Sequence, residues 1–499
     1  MKNILLLLMM LLLPMAASAY DVEIGGIYYD VVSKAKVAEV TFGEKKYSGD
    51  IVIPSTIEYE GVLCDVKFIG GGAFTDCDGL VSLKLNEGIE TIKSGGIQVV
   101  RNLKSVTIPR SLKTIEEWNF TYAEGMNVYI SDLESWCHMT FHNNNLLNGA
   151  GHLYINNTEI SDLILPGNFE WISDRAFSGC ANIKSVTIEE GIRVIGNSAF
   201  DGCPQLATVS FPASIESIGS SAFDGCPQLA TVSFPASIES IKSFAFAHCP
   251  ELTNVSLPHV QELGNYVFGE CSKLQHITLP NDLNQISMGM FSFCTSLTDL
   301  SFLSNIITIG ENAFDGCTGL RSIDLPNSVV QIGRVAFAGC TNVESILLPS
   351  SVNMIDAQAF ADCKKIKDVY CYAKNIPQTE GDIFAGSYIE YSTLHVPVAS
   401  IDDYKSTAPW SDFKTIVGIT ETEPMTYKLI YMVDGEEYRA YDVEDGASII
   451  PETSPTKDGY TFSGWINLPE TMPAHDVIIT GYFVNSHNNS DHEYVDLGL

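Results

Sequence analysis

Positive charge is scarce in this chain of 499 residues: 28 Lys and Arg stand against 61 Asp and Glu, a formal net charge of -33. Nucleic acid and anionic lipid both require clustered basic side chains, so neither is an expected partner. Long apolar runs are missing too. The run from Ile4 to Leu13 is too short to cross a bilayer, and no later segment reaches the roughly 18 apolar residues that a membrane helix needs. No membrane insertion is expected. Catalytic signatures are likewise absent: there is no Gly-x-Ser-x-Gly elbow, no Gly-x-x-x-x-Gly-Lys phosphate loop and no His-Glu-x-x-His pair. The chain does not read as an enzyme, and no cofactor is expected. Without an EF-hand loop or a glycine-aspartate calcium repeat, the acidic surface reads as a solubility device, with a calcium-dependent role as the alternative.

What the chain has is a period. Phe177, Phe200, Phe223, Phe246, Phe268, Phe291, Phe314, Phe337 and Phe360 follow one another at 23 residues, with a single step of 22. Around each stands the same phrase: an apolar pair, Ala-Phe, Cys three residues on, then a short alternating run ending in Pro. A fixed period of this length specifies a stacked solenoid in which each coil touches only its neighbours. In Thr208-Val209-Ser210-Phe211-Pro212 the apolar and polar residues alternate as in a strand, and Pro212 ends it for want of an N–H. Ile215 and Ile218 form the second apolar pair, and Ser221 to Cys226 is compact enough for one helical turn. Ser198 to Ile218 recurs letter for letter at Ser221 to Ile241, the mark of an internal duplication. A lone coil cannot repay its ordering entropy, so the ends need covers.

Ten of the 13 cysteines (Cys77, Cys180, Cys203, Cys226, Cys249, Cys271, Cys294, Cys317, Cys340 and Cys363) keep step with the repeat Phe. Stacked side chains point the same way rather than at one another, so these read as buried thiols acting as small apolar fillers, against the disulfide framework that an exported chain would otherwise suggest. Export itself is read from Lys2, the apolar run and Ala17-Ser18-Ala19, which make residues 1–19 a cleaved signal peptide with the mature chain beginning near Tyr20. The expected location is secreted or cell surface. No Cys follows the cleavage region, so a lipoprotein is not expected.

Residues 20–72 read as a β-rich N-terminal cap and 73–419 as the solenoid, including an irregular segment at 116–171 and a closing cap at 364–419. A linker at 420–426, a β module at 427–484 and a polar tail at 485–499 follow. The irregular segment carries Trp118, Trp136, Cys137, His138, His142 and the run Asn143-Asn144-Asn145, and reads as an irregular coil or a grafted functional loop. Cys137 with the two histidines lacks the further ligand or positioned base that a metal or thiol site needs, so no catalytic or metal residue is assigned.

The outward strand positions are Thr187, Ser210, Ser233, Ser256, Thr278, Ser301, Asp324, Leu347 and Tyr370, a column made mostly of hydroxyls. Such residues suit any solvated strand; read functionally, they form a shallow face of donors and acceptors for an extended partner. Trp118 and Trp136 are the further candidate ligand-facing residues. In the module, Trp465 and Tyr460 read as core, with sugar stacking as the alternative.

The phrase Ile-x-x-Ile-Gly-x-x-Ala-Phe-x-x-Cys-x-x-Leu-x-x-Val-x-Leu-Pro, met in most positions at Ile306 to Pro326, resembles the leucine-rich repeats of BspA-like bacterial surface proteins. It departs from the commoner leucine-rich pattern in having Pro after the strand and Cys later. The words Gly459-Tyr460-Thr461-Phe462-Ser463-Gly464-Trp465, with Asp434-Gly435 as a hairpin turn, resemble the Listeria-Bacteroides repeat, a small β-grasp-like module. The tail Glu493 to Leu499 weakly resembles the opening of another secreted module. These resemblances imply a non-enzymatic binding protein that adheres to host matrix proteins or to other cells. The rival reading is glycan capture through the Trp-rich segment 116–171.

Overall fold

The structure, a computed structural model, describes residues 20–485 other than 143–145, 148, 150, 258–259, 281–282, 420–425, 434–435, 445, 467, 470 and 474–476. The expected signal peptide, the Asn143-Asn144-Asn145 run, the Asp434-Gly435 turn, the linker apart from Thr426 and the tail apart from Asn485 lie outside the described residues. The chain forms two compact units, the first ending at Leu252 and the second beginning at Thr253.

In the first unit the repeat coils add rungs to two parallel ladders. One runs through Asp162–Leu165, Ser185–Ile188, Thr208–Ser210 and Thr231–Ser233, with Leu163, Val186, Val209 and Val232 opposed in register and buried. The other uses two-residue strands, Trp171–Ile172, Val194–Ile195, Ser217–Ile218 and Ser240–Ile241. A third set of bonds joins the turns: the N–H groups of Phe177, Phe200 and Phe223 donate to the carbonyls of Ala199, Ala222 and Ala245 in the next coil, at 2.7, 2.8 and 2.8 Å. The phenyl rings stack in consequence, Phe200 on Phe223 at 5.2 Å and 3° between planes.

The segment Ser221 to Cys226 is a tight turn and not the helical turn expected from its length. Its backbone is left-handed two residues before and two after the Phe, at Ser221 (φ 54°) and Gly225 (φ 66°), which interrupts any helical run.

All thirteen cysteines are buried thiols. They do more than fill space. Cys203, Cys226, Cys294, Cys317 and Cys363 each donate Sγ–H to the carbonyl of the repeat Phe one coil back, at 3.3, 3.2, 3.3, 3.1 and 3.3 Å. Ser387 takes the same role toward Phe360 at 2.6 Å, which shows that the position wants a small donor. Burial pushes the Cys180 thiol up to about 11 and Cys363 up to about 12. Native protein at pH 8 should therefore resist thiol reagents, whereas denatured, unreduced protein should titrate close to thirteen thiols. A denatured count of only a few would refute the assignment.

The N-terminal strands hand an antiparallel start over to the parallel ladders. Ile27–Val32 pairs antiparallel with Val22–Ile24 and Val37–Thr41, and Thr56–Tyr59 pairs antiparallel with Val62–Ile69. Val62–Ile69 then pairs in parallel with Thr91–Ile92, and Gly49–Ile53 with Leu80–Leu85, so this region opens an earlier pair of ladders that run on to Thr140–Phe141 and His152–Ile155. The irregular segment holds the helix Leu133–Cys137, capped by Asp132, which accepts from the Ser135 N–H at 2.7 Å. Two buried amides complete the bonding here. Asn119, standing in the Ala place of the phrase, accepts from the Ile97 N–H at 2.8 Å and donates to Glu116 O at 2.8 Å. Asn182 accepts from the Leu153 N–H at 3.0 Å and donates to Leu153 O and Ile160 O at 2.9 and 2.8 Å.

In the second unit Asn254–Ser256 pairs with His276–Thr278, and Ser322–Asp324, Ser345–Leu348, Asp368–Cys371, Thr393–Pro397 and Thr415–Ile419 form one parallel sheet. Between them Ser301, expected on a strand, lies in the 3-10 turn Ser301–Leu303. Leu303 fills the place that Pro has in other coils, and the N–H that Pro lacks donates to Leu300 O at 3.0 Å and closes the turn. The Phe column runs one coil further than the spacing suggests: Phe360 stacks on Phe384 at 5.6 Å. Trp410 and Phe413 then meet Phe384 edge-on, at 79° and 89°, and end the stack. The helix Ile401–Ser406 closes this end, with the Tyr404 hydroxyl donating to Ala373 O at 2.9 Å.

The module in this unit pairs Thr426–Val433 antiparallel with Glu436–Glu444 and parallel with Val477–Gly481 over a core of Leu429, Tyr431, Met472, Val477 and Ile479. Trp465 packs on Tyr431 and Phe462 and donates Nε1–H to Glu452 O at 2.8 Å, as a core residue would. Tyr460, expected beside it, is exposed under Lys457.

Candidate binding face

Strand alternation sends two side chains of every rung outward. In the first unit Ile164, Thr187, Ser210 and Ser233 stand opposite one another in register, beside a second column of Asp162, Ser185, Thr208 and Thr231. Rungs are about 4.8 Å apart. Thr187, Ser210 and Ser233 are exposed and make no side-chain hydrogen bond among the described residues. Their hydroxyls are available to a partner at each rung as both donors and acceptors. In the other column Asp162 accepts from Ser185 at 2.5 Å and from Ser161 at 2.7 Å, and these bonds hold its carboxyl below the usual carboxylate range.

The columns do not stay hydroxylic. Upstream, on Asn127–Ile130 and His152–Ile155, the same outward position holds Tyr129 and Tyr154, stacked at 4.7 Å. Within the second unit Ser256 and Thr278 are exposed, and from Asp324 the column turns apolar and aromatic through Leu347, Tyr370, His395 and Val417. Tyr370 stacks on His395 at 4.2 Å and 11°, and His395 Nε2 lies 2.9 Å from Asp368 Oδ1. Tyr129, Tyr154, His395 and Val417 escape the sequence reading, although Tyr129 and His395 each sit between two buried residues of an alternating strand, with Tyr154 and Val417 in register beside them. The expectation of a column made mostly of hydroxyls holds for the central coils only.

Of the two candidate tryptophans, Trp118 is 59% exposed in a left-handed turn, while Trp136 is 1% exposed and donates Nε1–H to Ala176 O at 2.9 Å. Trp136 cannot meet a ligand. Trp136 lies on the buried side of the inserted helix, where its largely apolar ring meets Phe141 instead of water. Cys137 is buried, and burial drives its thiol far above the usual range, so it supplies no thiolate. No group of metal-ligating side chains occurs among the described residues, and no helix there is long and apolar enough to cross a membrane.

Two carboxylates on adjacent coils have a cost that can be measured. Burial, then the charge of Asp224, raises the pKa of Asp201. The folded state thus holds the proton more tightly than the unfolded chain, and stability falls as pH rises through the folded pKa. Asp201→Asn should raise the melting temperature at pH 7, and the gain should vanish below about pH 4, where the unfolded carboxyl is itself protonated. An equal gain at both pH values would refute this account.

A family model for the BspA type leucine-rich repeat region matches residues 42–150, 150–263, 193–306 and 285–405, and one for the Listeria-Bacteroides repeat domain matches residues 427–476. Neither describes a catalytic activity. Among solved structures, a leucine-rich repeat protein from Bacteroides ovatus is 25% identical over 80% of this chain and 100% of its own, with a TM-score of 0.55. A leucine-rich cell surface protein from Faecalibacterium prausnitzii is 20% identical over 70% of this chain and 93% of its own, with a TM-score of 0.41. The pneumococcal vaccine antigen PcpA is 18% identical over 81% of this chain and 99% of its own, with a TM-score of 0.36. No curated protein matches.

Proposed function

The chain belongs to the BspA-type leucine-rich repeat family, and on that footing we propose that it is a non-enzymatic, secreted or surface-held protein that adheres to extracellular proteins, of the host matrix or of other cells, through the outward strand face. The observation that supports this most is the in-register column of exposed hydroxyls at Thr187, Ser210 and Ser233. A repeating, short-chained surface suits an extended partner, and Tyr129 and Tyr154 in the same unit offer amphipathic anchors of the kind that dominate protein interfaces.

The test is capture of matrix proteins by the mature chain on a panel of immobilised fibronectin, laminin, collagen and fibrinogen. Replacing Thr187, Ser210 and Ser233 together by lysine should abolish capture without moving the melting temperature, because all three side chains point into solvent. Silence of the unaltered chain across the panel, or equal capture by the triple variant, would count against the reading.

A further inference from the structure

A second site, separate from the strand face, lies where the ladders part. We infer that the wedge between the strands Thr140–Phe141 and Trp171–Ile172 is a carbohydrate-binding cleft that seats a neutral sugar ring against the indole of Trp171. Thr140–Phe141 pairs with Thr114–Ile115 and ends one ladder, and Trp171–Ile172 pairs with Val194–Ile195 and begins the next. The inserted helix keeps the two apart: the Ser173 N–H, which a regular coil would give to the preceding rung, donates instead to Cys137 O at the helix end, at 2.8 Å. The opening left behind has a volume of about 550 Å³ and is bordered by Thr140, Trp171, Ser173, Asp174, Val194 and Gly196.

Trp171 is 48% exposed there and Val194, opposite it in the ladder, 41%, whereas the next residues of that column are Ser217 and Ser240. Large apolar side chains gathered at a concave opening, on a ladder whose next two rungs carry serine, mark a recognition site. The His138 ring packs against the indole at 4.3 Å and fixes its orientation. Asp174 is held as well: its Oδ1 accepts from the Asn197 N–H at 2.7 Å and Oδ2 from Asn197 Nδ2 at 3.1 Å. Each oxygen keeps acceptor capacity toward the cleft, and Thr140 adds an exposed hydroxyl.

A rigid aromatic plate beside a fixed carboxylate and hydroxyls matches a ring that is apolar on its C–H face and hydroxylated at its edge. Among the described residues no Lys or Arg borders the opening, and the chain carries a formal charge of -33, so sulfated and sialylated sugars are repelled. A peptide strand is disfavoured because the two ladder edges are each two residues long and offer too few main-chain bonds.

The mature chain should be tested by calorimetry against malto-, cello-, xylo- and manno-hexaose, with sulfated and sialylated oligosaccharides alongside. At least one neutral hexaose is expected to bind. Trp171→Ala should weaken that binding by about tenfold or more, Trp171→Tyr should retain part of it, and Trp118→Ala should bind like the unaltered chain. Val194→Arg, which fills the opening from its exposed end, gives an independent block should Trp171→Ala fold poorly. Capture of protein partners by the strand face should survive both cleft variants. Binding of charged oligosaccharides alone, binding of none, or full affinity in Trp171→Ala and Val194→Arg would each overturn the assignment.

Discussion

Phe223→Ala is expected to destabilise the first unit by about 3 to 5 kcal/mol, the range for emptying a buried aromatic site. The Phe223 ring is fully buried, stacked at 5.2 Å on Phe200 and on Phe246, and met edge-on by Phe211 at 5.8 Å. A hole there is lined by two coils, and neither can close it without breaking the backbone bonds that set their spacing. In a stack held by nearest-neighbour contacts this weakens the coupling between coils as well as one coil's own stability. Urea unfolding should therefore show an earlier and broader transition. Trp118→Ala, on an exposed ring, should stay within about 0.5 kcal/mol of the parent. Coincident unfolding curves for the parent and Phe223→Ala would show that the ring column does not hold the stack.

The second large effect is at Trp136. Trp136→Ala should cost about 3 to 5 kcal/mol, because the indole is fully buried against Phe141 at 5.3 Å and its Nε1–H satisfies Ala176 O. Trp136→Phe separates the terms: it keeps most of the packing and loses only the hydrogen bond, for about 1 to 3 kcal/mol. Read from sequence alone, Trp136→Ala would remove sugar binding and leave the fold intact. The structure reverses that expectation. Thermal melting decides between the two, since a folded Trp136→Ala variant at parental melting temperature would restore Trp136 as a ligand residue.

Much of the architecture was legible before any coordinate. The Phe spacing specified stacked coils, and the alternation at Thr208-Val209-Ser210 specified which side chains face out. The cysteine column was legible as buried thiols, but its partner was not, because the Phe carbonyl that each Sγ–H meets belongs to another coil. Ser301 was misplaced because alternation at Leu300-Ser301-Phe302 looks strand-like, and only the bond from the Leu303 N–H to Leu300 O shows the chain turning. The outward column was legible at Thr187, Ser210, Ser233 and Tyr370. Tyr129, Tyr154 and His395 were overlooked where the phrase had decayed.

By itself the sequence determined the period, the inward and outward columns, and an acidic surface that excludes polyanionic partners, since each of these is a local pattern repeated against nearest neighbours. Tertiary structure alone decided which tryptophan is wet, where the ladders part and how deep the opening between them is. Those outcomes hang on contacts such as Trp136 with Ala176 and Ser173 with Cys137, made once, between residues distant in the chain, where no repeat announces them.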